Sequence, residues 1–161
     1  MSTLSVDTIQ GKTTAGTVAM PAGAMLQVVQ THVTAYTNTS STSQVDTGLT
    51  VTITPKFTSS KVLISGHING CYSNAATRFA VYNLYKNDVL LAPIHNIVGY
   101  LQGEVGYNTD WSFSFLDTPS TTSALTYKLK FNTSSGTSYF NNYGVTNNNT
   151  RSTITAHEIA G

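Results

Sequence analysis

The sequence predicts an all-β protein: a β-sandwich with about the eight strands that a jelly roll uses, preceded by an extended arm. Three observations lead there. No stretch sustains the 3.6-residue apolar period of a helix, and most apolar positions are β-branched or aromatic. Short apolar runs recur between turn residues at the spacing of a sandwich. Several runs alternate strictly: in "LTYKLKFN", Leu125, Tyr127, Leu129 and Phe131 share one face, while Thr126, Lys128 and Lys130 share the other.

In chain order, residues 1–23 form the arm and residues 24–161 the sandwich domain. The arm is small, polar and broken by Gly16, Pro21 and Gly23, with Val6, Ile9, Val18 and Met20 as isolated apolar anchors. It contains "GKTT" at Gly11, the second half of a phosphate-binding loop. Such a loop needs a glycine five residues earlier, a preceding strand and a following helix. Val6 stands at the glycine position, too few residues precede it for a buried strand, and "TTAGTVAMPAGA" disfavours a helix. The stretch therefore reads as an extended segment that needs a partner surface, with Lys12 facing a neighbouring protein and not a phosphate.

The strands are expected at Met25–Val33, Gly48–Thr54, Lys61–Tyr72, Thr77–Tyr85, Val89–Ile97, Asp110–Leu116, Leu125–Asn132 and Ser152–Ile159. In "WSFSFLD", Trp111, Phe113 and Phe115 fall on one face and are assigned to the core. Asn87-Asp88 sits between two apolar runs as a hairpin turn whose residues tolerate positive φ. Pro55 and Pro119 fall at strand ends, where a missing N–H costs nothing. "TAYTNTSSTSQ", from Thr34 to Gln44, and "NNYGVTNNNTR", from Asn141 to Arg151, are expected to be exposed tips.

Composition narrows the function. Eight basic and seven acidic residues in 161, with only 9% charged, leave no electrostatic footprint for nucleic acid or an anionic membrane surface. Ser, Thr and Asn make up roughly a third of the chain, well above ordinary usage, so hydroxyls and amides carry the solubility. That suits a protein packed beside copies of itself. Cys71 is the single cysteine and is expected to be a buried, inert thiol. No signal peptide and no apolar run of membrane-spanning length are expected.

Candidate chemistry is sparse. "HEIAG" opens the zinc-protease pattern at His157 and Glu158, but the second histidine is missing, and a strand would put the two residues on opposite faces. His32, His67 and His95 share no ligand spacing, so a metal site would need the fold to assemble it, or a symmetry axis on which histidines or acids of several copies meet. The nearest approach to a G-x-S-x-G elbow, "GTSYF", ends in Phe140. No catalytic residue, metal site or cofactor is assigned, and the expectation is a protein that is not an enzyme. One alternative comes from the Asn- and Tyr-rich stretch. Tyr139, Asn141, Asn142, Tyr143 and Asn147 could form a platform of rings and amides for a sugar, or Tyr139 and Tyr143 could simply pack a loop or a subunit boundary.

"LSVDTIQGKTTAGTVAMPAGAMLQVVQT" resembles the N-terminal segment of small virion proteins of tailed marine bacteriophages. "TGLTVTITPKFTSSKVLI", "LYKND", "SFLDTPSTTSALTYKLKF" and "STITAHEIAG" continue the resemblance in order over nearly the whole chain. The resemblance implies a homotrimeric jelly roll, akin to tumour-necrosis-factor-like heads, displayed on the virion surface. Proteins of this family are labelled tail fibre, head fibre or capsid decoration. Decoration is favoured here, because no shaft follows the arm. A trimer would account for Tyr82 and Tyr85 as interface residues. The arm would then dock on a phage coat or tail protein through Val6, Ile9, Lys12, Val18 and Met20. A host-recognition module binding surface glycan is the alternative, and an enzyme acting on polysaccharide the third.

Overall fold

A computed structural model describes residues 20–73, 78–99, 109–142 and 150–161. Strands β1 (Met25–Val33), β2 (Thr37–Thr39), β3 (Val45–Ile53), β4 (Lys61–Ser73) and β5 (Arg78–Lys86) are followed by β6 (Val89–Gly99), β7 (Thr109–Asp117), β8 (Leu125–Thr133), β9 (Ser138–Phe140) and β10 (Ser152–Ile159). Every pairing among them is antiparallel.

One sheet runs β1-β10-β4 with β7 on the far side of β4, and the other runs β3-β8-β5-β6. When the short β2 and β9 are set aside, the long strands fall in the order first-eighth-third-sixth in one sheet and second-seventh-fourth-fifth in the other. That is the strand order of a jelly roll, two interlocked Greek keys wrapped into a sandwich.

The predicted strands are all present, most with ends displaced by one to three residues. Strand β2 lies within the stretch expected to be an exposed tip, and β9 in residues to which the sequence assigns no strand. They pair with each other, and β9 also pairs with the end of β4 through Tyr72 and Ser73. At three residues each they are too short to show alternation.

The inward faces meet in an aromatic centre. The Tyr82 ring stacks on Phe131 at 5.5 Å between centroids and 14° between planes, and meets Trp111 edge-on at 5.3 Å. Val62, Ile64, Ile68 and Ile154 close over it from one sheet, and Leu49, Val51, Leu84 and Leu129 from the other. Each such side chain contributes roughly 1.5–3 kcal/mol on burial. Trp111 joins this core as expected, while Phe113 and Phe115 pack against it partly buried. Cys71 is fully buried beside Tyr82 and Trp111, and burial pushes its thiol up to about 11, so it carries no thiolate at neutral pH.

Turn chemistry fixes the register. Asn87 and Asp88 adopt φ of 49° and 64°, as a two-residue hairpin requires. Asn87 also locks the turn to β8: its N–H donates to the Thr126 carbonyl, and its side-chain oxygen accepts from the Thr126 N–H, both at 2.9 Å. Gly48, at φ 85°, sits in the bulge where the β3–β8 register shifts, and Thr47 Oγ1 fills the interrupted ladder by donating to the Leu129 carbonyl at 2.7 Å.

The outer edge of β3 is closed by side chains from the opposite sheet. Gln27 Nε2 donates to the Thr54 carbonyl at 2.7 Å, Thr37 Oγ1 to Thr47 at 3.2 Å, and Thr31 Oγ1 to Thr50.

Candidate functional site

The two sheets present outer faces of different chemistry. On β3-β8-β5, alternation turns Lys128 and Lys130 outward. Asp88 on the hairpin sits 3.0 Å from Lys128 and 2.9 Å from Lys130, and Asp46 is 3.6 Å from Lys130. The Lys130 ammonium also lies 4.8 Å above the Tyr85 ring. The hydrogen bond from Lys130 lowers the Asp88 pKa, and the same bond raises that of Lys130. This face is charged, paired and solvated.

The outer face of β1-β10-β4-β7 is built differently. Cross-strand register sets Val28, His157, Leu63 and Leu116 in one row. Gln30, Thr155, Ser65 and Ser114 form the next row, and His32, Thr153, His67 and Ser112 the third. None of these twelve residues is Asp, Glu, Lys or Arg. Val28 and Leu116 are each about half exposed, at 51% and 50%. Two polar pairs bond across the strands: Gln30 Nε2 donates to Thr155 Oγ1, and His67 Nδ1 and Ser112 Oγ share a hydrogen bond, both at 2.9 Å. Apolar side chains and the absence of formal charge make this the outer face that loses less on leaving water.

The predicted interface pair does not come together. Tyr82 is a core residue with no exposed surface, and its hydroxyl donates to the Tyr139 carbonyl at 3.2 Å. Three positions apart on a strand means opposite faces, so Tyr85 points out onto the charged face, under Lys130. Tyr82 therefore belongs to the fold of the subunit and not to a boundary between subunits.

The predicted glycan tip also divides. Asn141, at φ 61°, is fully buried where the β1–β2 link meets the start of β10. Its Nδ2 donates to the carbonyls of Val33 and Ala35 at 3.2 Å and of Thr150 at 3.1 Å. Its Oδ1 accepts from Thr150 Oγ1 at 2.6 Å and Ser152 Oγ at 3.0 Å. With its amide fully committed, Asn141 is a plug and not a ligand contact. The Asn142 N–H donates to the Gly70 carbonyl at 2.7 Å. Gly70 stands at φ 59°, and a Cβ there would lie 2.8 Å from the Asn142 nitrogen, so this contact needs glycine twice over. Tyr139 is half-buried within β9, and Tyr143 and Asn147 lie outside the described residues.

Of the arm anchors, Val6, Ile9, Lys12 and Val18 lie outside the described residues. Met20 is 48% exposed and lines a hollow of about 140 Å³ with Phe57, Ser59, Ala160 and Gly161. The root of the arm is tied down just beyond. Gly23 N–H donates to the Ala160 carbonyl and Ala160 N–H to the Ala24 carbonyl, both at 2.8 Å.

His157 and Glu158 face opposite sides of β10, as a strand dictates. The inward Glu158 is fully buried, with no ion-pair partner among the described residues. It accepts from the Lys56 N–H, Ser60 Oγ and Gln27 Nε2, each at 2.6 Å, and so clamps the β3–β4 turn and β1 to β10. Burial alone would raise its pKa, but these donors, with the Phe57 N–H, together hold the carboxyl below its ordinary value of 4.5. Glu158→Gln is expected to cost about 2–3 kcal/mol at pH 7, the scale of hydrogen bonds to a buried charged group. A lowered folded-state pKa means stability that is present above the unfolded carboxylate range and lost as pH falls through the folded value. Urea titrations should therefore show the gap between wild type and variant shrinking from pH 7 to pH 3.

Fold and faces together define a jelly-roll sandwich with one charge-paired outer face and one outer face free of formal charge in its three central rows. No protein-family model matches the chain, and no curated protein matches it in sequence. Among solved structures, the chain is similar at 12% identity and a TM-score of 0.49 to a crystal structure of the infectious bursal disease virus VP2 subviral particle, over 84% of this chain and 33% of that one. A structure of the infectious bursal disease virus Gx strain shows 13% identity and a TM-score of 0.43, over 100% of this chain and 42% of that one. The chain thus spans a third of the length of the first neighbour and less than half of the second.

Proposed function

We propose that this chain is a non-enzymatic structural protein of a bacteriophage particle: a homotrimeric jelly-roll knob on the virion surface, attached through residues 1–23 to a coat or tail protein. Capsid decoration or a head fibre is the favoured placement. The outer face of β1-β10-β4-β7 carries this reading. In a symmetric trimer each copy buries the same surfaces, and a face without formal charge is the one whose burial costs least. The resemblance of the N-terminal segment to phage virion proteins supports the particle, and the exposed Met20 at the tied root of the arm supports attachment there.

Ser65 lies in the middle row of the face. The wild-type protein should sediment as a trimer and Ser65→Lys as a monomer with unchanged far-ultraviolet circular dichroism, while Thr52→Lys on the opposite sheet remains trimeric. A monomeric wild type, or an undisturbed Ser65→Lys trimer, would remove the face from the proposal. Deleting residues 1–23 should leave a soluble trimer that no longer joins particles, and normal incorporation of that deletion would remove the arm. A host-recognition function would need Tyr139, Asn142 and the 143–149 segment, since the amide of Asn141 is spent within the fold.

A further inference from the structure

The outer face of β3 and β8 carries a hollow of about 280 Å³ at the β3 bulge, with Asp46, Gly48, Thr50, Thr52, Thr126 and Lys128 in its lining. We infer that it is a binding site for one neutral, hydroxyl-rich ring, a saccharide residue. The hollow lies on the sheet opposite the proposed contact between copies and involves none of the tip residues Tyr139, Asn141 and Asn142, so it stands or falls apart from both readings.

The backbone makes the opening. The register shifts between Asp46 and Thr50, and Gly48 takes a φ of 85° there, so β3 departs from its partner at a position without a side chain. A Cβ built at Gly48 would meet nothing within 4 Å. Small-molecule sites span roughly 300–1,000 Å³, so a hollow of this size takes about one ring.

The groups around the space select the chemistry. Their formal charges cancel: Lys128 pairs with Asp88 at 3.0 Å, and Lys130 lies 2.9 Å from Asp88 and 3.6 Å from Asp46. An anion would have to displace Asp88 from Lys128 and would meet Asp46 as it did so, while a cation would meet Lys128. A hydroxyl both donates and accepts, and it suits both groups. An ammonium has three donors and a carboxylate about four acceptor sites, so pairing leaves capacity on each. Asp46 has the more to offer, since its side chain is 57% exposed and its ion pair with Lys130 is long. Thr50 Oγ1 donates to the Tyr127 carbonyl at 3.1 Å and keeps its lone pairs. Thr52 and Thr126 share one hydrogen bond at 3.0 Å, which leaves the second hydroxyl hydrogen of the pair for a ligand. Donors and acceptors therefore converge on one space without net charge, the pattern that recognises neighbouring hydroxyls on a ring.

The experiment is amide chemical-shift mapping by NMR on the whole chain. The probes are the methyl glycosides of glucose, galactose, mannose and N-acetylglucosamine, each raised to ~50 mM, well above a millimolar Kd. Calcium chloride and sodium phosphate serve as charged comparisons. At least one glycoside should give saturable shifts centred on residues 46–52 and 126–130, and neither salt should. Asp46→Asn should weaken that binding by ~10-fold, the loss of one charge-assisted hydrogen bond. Thr50→Tyr, which sets a ring in the hollow, should abolish it, with circular dichroism unchanged in both variants. If Thr50→Tyr impairs folding, Asp46→Asn still decides. No saturable shift from any of the four glycosides, shifts centred elsewhere, a response to calcium or phosphate at these residues, or unaltered binding by Asp46→Asn overturns the inference.

Discussion

Tyr82→Ala is expected to destabilise the subunit itself by about 3–5 kcal/mol, the range for removing a fully buried aromatic side chain. The ring contacts Phe131, Trp111 and Phe140, so its loss opens a hole at the point where the two sheets meet. Chemical denaturation followed by tryptophan fluorescence should show the shift, since Trp111 lies against the missing ring. Tyr82→Phe keeps the ring and gives up the hydroxyl with its bonds to the Tyr139 carbonyl and to Cys71, at a cost of about 1 kcal/mol. Tyr85→Ala, on the outer face under Lys130, should cost less than about 1 kcal/mol. If Tyr82→Ala instead left a stable monomer and abolished association, the assignment of Tyr82 to the core would fail.

Asn141→Ala is expected to cost about 3 kcal/mol or more. It strips the partner from the carbonyls of Val33, Ala35 and Thr150 and from the hydroxyls of Thr150 and Ser152, in a place water does not reach. Alanine would also have to adopt the left-handed backbone that asparagine tolerates, at a further ~1 kcal/mol. Two comparisons separate these effects. Asn141→Gly removes the side chain but suits the backbone, so it should be the milder of the two by about that amount. Asn141→Asp keeps the acceptor oxygen but puts a second oxygen where the donor stood, against three carbonyls, so it should rank near alanine. Equilibrium unfolding of the three variants in urea tests the order. Equal stability of wild type and Asn141→Ala would show that the plug carries no weight.

The long strands were legible because burial on one side writes itself into the sequence as alternation. "LTYKLKFN" shows both what is buried and that Lys128 and Lys130 share the outer face, which is half of the contrast between the two sheets. The other half needed register, because only the pairing of β1, β10, β4 and β7 sets their hydroxyl and apolar side chains in common rows. Residue type alone groups Tyr82 with Tyr85, although their odd spacing on a strand separates them. Nothing local singles out Asn141 among the five asparagines of its stretch. Two of the carbonyls it holds lie more than a hundred residues earlier in the chain. The donors to Glu158 come likewise from residues 27, 56, 57 and 60, so no local pattern announces the clamp.

The closed edge of β3 bears on how such a protein behaves when many copies stand shoulder to shoulder. An edge strand with free carbonyls is a template on which another chain can polymerise. Here Gln27, Thr31 and Thr37 act as stoppers along that flank, each spending a side-chain donor on a backbone group that a stranger would otherwise use. Neighbours crowded against it can touch through side chains, but at Thr47, Thr50 and Thr54 the carbonyls that a new ladder would use are already taken.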